Sequence, residues 1–163
     1  MNIWKYFVVF LVSMVPIVEL RGSVGLALSD TFMGSAIPYW QALPLCVIGN
    51  MIPVPFIYFF ARKFLTWGAE QRFIGKICKF FLVKGEKAGQ KLVKTGGRYG
   101  LFVAMMLFVG IPIPGTGAWT GTLGASFLDM GFKSTVLSVC LGVIIAGIIM
   151  ALGYTGVFEV FGL

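Results

Sequence analysis

The chain has 163 residues, 58% of them hydrophobic and only 12% charged, and a net charge of +7. That composition excludes an ordinary water-soluble domain and indicates an integral membrane protein. The absence of histidine removes Ser/His and Cys/His nucleophile pairs, HExxH zinc sites and histidine-dependent phosphatases, and the scattered Cys46, Cys78 and Cys140 offer no metal-ligand spacing, so no enzyme, metal or cofactor is expected.

Residues 3–28 form the first apolar stretch, and Pro16, Glu19 and Arg21 interrupt it. No small-residue cleavage site follows the run after Lys5, so the N-terminus is expected to be retained. Charges at membrane depth face a bundle interior or water and find partners. Glu19 is therefore a candidate proton- or cation-responsive carboxylate, and Arg21 a candidate partner for it or for an anionic head group. At i,i+2 the two point to different helix faces. They converge only where the backbone unwinds after Pro16, which Gly22 and Gly25 would ease.

Residues 39–61 are long and uncharged enough for a spanning helix, kinked near Pro53 and Pro55, with Asn50 a candidate pathway residue whose amide needs a partner such as a carbonyl freed by those prolines. Residues 62–98 hold ten of the thirteen basic residues against Glu70 and Glu86, which puts the segment in the cytoplasm. Phe64, Trp67, Ile74, Ile77, Cys78 and Phe81 recur there at helical spacing opposite Arg72, Lys76 and Lys79, a pattern that suits a helix on an anionic leaflet. The positive charge thus indicates a lipid surface, not nucleic acid.

Residues 101–128 are apolar but broken by PIPGTGAWTG at 112–121. Backbone groups freed at membrane depth are tolerated only where protein or a wet cavity meets them, and in transporters such breaks form binding sites. Pro112 and Pro114 make the break, Gly115 and Gly117 allow close backbone approach, and Thr116 and Thr120 add hydroxyls. A half-helix starting near Ala118 would aim N–H groups at an anion or polar group. Trp119 is expected to pack. Residues 134–152 form the last spanning helix, where Gly142 and Gly147 favour close packing.

With Lys133 also cytoplasmic, residues 101–128 enter and leave on one side as a re-entrant hairpin. Shifted by 96 positions, Pro16, Ile17 and Gly25 fall on Pro112, Ile113 and Gly121, and shifted by 94, Leu43 and Cys46 fall on Leu137 and Cys140. These identities are few, and the order of parts carries the reading: each half is a broken module followed by one long helix, the two long helices running oppositely, which is an inverted repeat.

The strings PIVELRG at 16–22 and PIPGTGAWTG, in a short apolar chain with a basic middle, resemble the putative small multi-drug export protein family, which implies membrane transport in a prokaryotic cytoplasmic membrane without naming a substrate. KTGGRYG at 94–100, ahead of a broken apolar segment, is more distantly similar to the DedA/VTT membrane proteins, which implies re-entrant loops in inverted halves and lipid-carrier flipping or proton-coupled transport. Where those proteins carry a second-loop arginine this sequence has Gly115, Thr116 and Gly117, so that arginine's chemistry is not implied.

The expected architecture is one all-α integral membrane domain: a first half at 1–61, a basic amphipathic cytoplasmic segment at 62–98 and a second half at 99–163. The expected function is a small multi-pass exporter, ion-coupled or passive, working as a homodimer on an unidentified small molecule or lipid. Two alternatives stay open, a flippase or scramblase of an anionic lipid and a non-transporting membrane scaffold.

Overall fold

The structure is a computed structural model that describes residues 3–16, 18–29, 37–71, 75–113 and 115–161. The described residues are helical throughout, without strands: α1 (Ile3–Ser13), α2 (Glu19–Leu28), α3 (Tyr39–Met51), α4 (Pro53–Glu70), α5 (Gly75–Gly110), α6 (Ala118–Phe127) and α7 (Phe132–Phe161). The outer surface carries large apolar side chains, with Trp4 and Phe60 each 71% exposed and Phe56 72%. In water that coating would be a severe liability; in lipid it is the expected covering. The protein is a membrane protein with two helical stretches apolar and long enough to cross, Tyr39–Glu70 and Phe132–Gly153.

The first apolar stretch is a pair of short helices. Pro16 has no N–H and would crowd the preceding turn, so α1 stops at Ser13. Met14 and Val15 close back on the carbonyls of Leu11 and Val12 at 3.1 and 3.2 Å, and the Ser13 hydroxyl donates to Phe10 at 2.7 Å. With 11 and 10 residues, α1 and α2 are each about 15 Å long, half the hydrocarbon thickness. The Tyr6 hydroxyl donates to Gln41 at 2.5 Å near the start of α3, and Phe10 and Ser13 meet Gly49 near its end, so α1 runs alongside α3 in the same direction.

The long helix of the first half extends past Ala61 to Glu70, beyond the expected boundary. Arg62 and Lys63 are helix-compatible residues, so they mark where apolar sequence ends without ending the helix. The break falls at Ile52, where Pro53 and Pro55 remove the N–H groups that would reach Gly49 and Met51.

Within α5, Gly97 has φ 65° and ψ −174°, so the helix is two pieces joined at a kink, a basic one before Gly97 and an apolar one after it. Lys76, Lys79, Lys87, Lys91, Lys94 and Arg98 are all exposed. Of the amphipathic pattern expected here, Phe64 and Trp67 are exposed, whereas Arg72, Ile74 and the side chains of Ile77, Cys78 and Phe81 lie outside the described residues.

The halves share one contact. A Cβ at Gly142 of α7 would stand 2.7 Å from the Met106 carbonyl of α5, and one at Gly49 of α3 would stand 2.8 Å from the Phe10 carbonyl of α1. Met106 lies 96 positions after Phe10, the offset that superposes the two proline breaks. Gly147 likewise presses on Leu43 and Leu20, so the expected packing role of both α7 glycines is observed. Between the halves, α2 packs on α7 and α6 packs on α4. The Tyr58 hydroxyl fastens α4 to the α6–α7 turn by donating to the Met130 carbonyl at 2.6 Å.

Candidate functional site

Glu19 opens α2 with φ 48°, a left-handed backbone unusual for a residue with a side chain. The conformation turns its carboxylate inward, where it is 7% exposed and accepts a hydrogen bond from the Trp119 N–H at 3.1 Å. That N–H belongs to the first turn of α6, so a carboxylate from the first break sits on the positive end of the half-helix that follows the second. Gly117 is what lets it in: a Cβ there would overlap the Glu19 carboxylate.

Arg21 serves the other end of the same break. Its guanidinium donates to the Ile113 carbonyl, to the Ile111 carbonyl at 3.1 Å and to the Thr116 hydroxyl at 2.8 Å. The Thr116 hydroxyl is in turn 2.9 Å from both carbonyls. Carbonyls of the turns that follow α5 thus meet a cation, and N–H groups left without a helical partner as α6 begins meet an anion. Trp119 adds a third tie, its indole N–H donating to the Met14 carbonyl at 3.2 Å, in the packing role expected for it.

Three points that the sequence left open take a definite form here. Glu19 and Arg21 hydrogen-bond to opposite sides of the second break and not to each other, although both border the same cleft and the same small cavity. The unwinding precedes Glu19, while Gly22 and Gly25 stay helical, because Pro16 and the left-handed Glu19 already absorb the change of direction. The helix starting at Ala118 does present its N–H groups to an anion, but the anion is the chain's own.

Thr120 accepts from the Gly117 N–H at 2.9 Å, one half of a capping box, so its hydroxyl is committed to the helix start. Gly115 has φ 86°, the left-handed turn that glycine permits. Pro16, Gly22 and Pro112 flank the meeting point, and Pro114 lies outside the described residues. A cleft of about 520 Å³ opens here, lined by Glu19, Arg21, Gly115, Thr116 and Thr120 with Met150 of α7.

Asn50 is 1% exposed, and its Oδ1 has no hydrogen-bond partner. It faces a separate small cavity of about 10 Å³ that Glu19, Arg21 and Gly117 also line, so four residues singled out in the sequence meet at one place. The carbonyls of Met14, Ile111 and Ile113 are the partners that sequence reasoning missed. Apolar residue names carry no sign of which main-chain groups lack a helical partner. Among the described residues no cluster of acidic residues and cysteines could hold a metal.

The family model described as putative small multi-drug export protein matches residues 19–149. The chain belongs to that family. The match begins on Glu19 and takes in Arg21, Asn50, the second break and α7 as far as Ile149, while α1, Met14, Pro16 and Met150 lie outside it. Neither a curated protein nor a solved structure matches the chain.

Proposed function

We propose that the chain is a small membrane exporter built as an inverted repeat, in which two half-depth hairpins enter from opposite faces and meet at their broken tips. The observation that carries this reading is the double engagement of the second break by Glu19 and Arg21 across 100 and 90 residues of sequence. With the basic segment cytoplasmic, α3 and α4 descend into the cell and α7 rises out of it. The Tyr6–Gln41 bond then sets the start of α1 outside, and α1–α2 dips in from there while 98–127 dips in from the cytoplasm. Ala146, which lines the small cavity with Glu19, stands 13 residues beyond Lys133, about 20 Å up a helix, so Glu19 lies near the middle of the bilayer. The matched Gly49–Phe10 and Gly142–Met106 contacts support the repeat.

Ionised Glu19 holds the start of α6; protonation removes the charge that the helix dipole stabilises and loosens that grip. Proton occupancy is thereby linked to the cleft beside it, the candidate substrate path. The exposed tips, with Val15 43% and Ile113 53% exposed, leave polar backbone at mid-depth that a second copy of the chain would cover. Arg21 on the cleft favours one alternative substrate class, an anionic lipid or lipid carrier moved by flipping.

The experiment is flux through proteoliposomes under an imposed pH gradient, with dye-like cations and with an anionic lipid probe. Glu19→Gln, which keeps an acceptor and removes the charge, is expected to abolish dependence on the gradient. Arg21→Ala is expected to act most strongly on the lipid probe if flipping is the activity. A folded parent that carries neither probe would leave the scaffold reading in place and end the transport one, and folded variants that match a transporting parent would remove Glu19 and Arg21 from the path.

A further inference from the structure

The buried amide of Asn50 is the one feature of the site that the export reading leaves unexplained. An acceptor 1% exposed with no partner is costly in any fold, and more so in one surrounded by lipid. The space it faces is small and specific. Its volume of about 10 Å³ is that of a single water, and its walls are Asn50 of α3, Glu19 and Arg21 of α2, Val109 of α5, Gly117 and Ala118 at the head of α6, and Val143 and Ala146 of α7. Every element around it except α2 contributes only uncharged residues, so Glu19 and Arg21 are the charged groups that face it.

We infer that this cavity holds one structural water, which donates one hydrogen to Asn50 Oδ1 and the other to the Glu19 carboxylate. The surrounding charge selects water over a metal cation. The polar atoms in need of a partner are acceptors: the amide oxygen, and a carboxylate with lone pairs beyond those used by Trp119. Water satisfies two acceptors at once. A sodium ion would also meet acceptors, but it would stand beside the Arg21 guanidinium and in front of the positive end of α6, against a single carboxylate. An extra positive charge in that setting is unfavourable; a neutral donor is not.

The assignment gives Glu19 two different neighbours. On one side it borders the larger cleft, and on the other a single water that ties it to α3. Asn50 becomes a positioning residue for the proton-bearing carboxylate, and the coupling species is a proton, not sodium. This rests on reading Glu19 as the proton-responsive group of the exporter.

Infrared spectroscopy of the full chain in liposomes reads the site without any substrate, with Glu19→Gln assigning the carboxyl band. Asn50→Leu fills the cavity and removes one acceptor. It is expected to shift the Glu19 carboxylate stretching band and to lower the thermal midpoint by several degrees. A band that stays in place overturns the inference, and so does a rise in thermal midpoint, because a dry cavity with an orphan amide gains from apolar replacement. The unsubstituted protein supplies a second arm that needs no variant to fold. Its thermal midpoint is expected to be equal in sodium, potassium and choline chloride at one ionic strength, and a sodium-specific rise would mean a bound cation. A chain that carries no flux yet keeps these responses loses the export reading and retains the water; a chain that transports but shows none of them does the reverse.

Discussion

Gly117 and Gly115 stand two residues apart in the second break and are glycine for different reasons. At Gly117 the space for a side chain is taken by the Glu19 carboxylate, whereas at Gly115 nothing lies within 4 Å and only the backbone, at φ 86°, asks for glycine. Gly117→Ala is therefore expected to displace the carboxylate and destabilise by about 1–3 kcal/mol, and Gly115→Ala by roughly 1–2 kcal/mol from backbone strain alone. Thermal unfolding checks the order, and only Gly117→Ala should also disturb proton-dependent flux. Thr120→Val removes the acceptor for the Gly117 N–H and is expected to lower stability by about 1 kcal/mol in the same measurement. At this scale the sequence exposes charges well. Glu19 and Arg21 are conspicuous because an apolar run makes any charge conspicuous. What they bind was hidden, since the Trp119 N–H and the Ile111 and Ile113 carbonyls are main-chain atoms common to every residue type.

Helix breaks are the best-advertised elements. Pro16 and Pro112 remove specific hydrogen bonds, and helices stop close to both. The continuation of α4 to Glu70 was less legible, because a charged pair reports the change from apolar to polar surroundings and a helix can cross that boundary intact. The kink at Gly97 was equally hidden among several glycines that stay helical. Close helix contact gives a sharp prediction here. A methyl group at Gly142 would press on the Met106 carbonyl and on Val109, both fixed parts of α5, so Gly142→Ala is expected to cost about 1–3 kcal/mol by separating α5 from α7. Gly153→Ala, with nothing within 4 Å, is the control and is expected to leave the thermal midpoint unchanged.

For the molecule as a whole, the proposed arrangement sets both ends of the first hairpin on one face of the membrane and the basic segment on the other. Single cysteines at Trp4, Trp40, Lys94 and Lys133, in a chain with its own cysteines replaced, test it with an impermeant maleimide. Positions 4 and 40 are expected to react from outside, and 94 and 133 only after the membrane is opened. Reaction of 4 and 94 from the same side would remove the opposed hairpins. Sequence identities between the halves were too few to argue this, since apolar residues coincide by chance. Stronger grounds lie in which glycine faces which carbonyl, Gly49 on Phe10 and Gly142 on Met106, and that pairing exists only in three dimensions.

The bond between Glu19 and Trp119 joins residues 100 positions apart. A ribosome adding 5–20 residues per second needs roughly 5–20 seconds to cover that distance. For that interval a nascent chain already threaded into the insertion machinery holds an acid and a base whose mates have not yet been made. Translation stopped short of residue 111 should therefore yield a fragment that the cell's membrane proteases remove, and the completed chain should escape them.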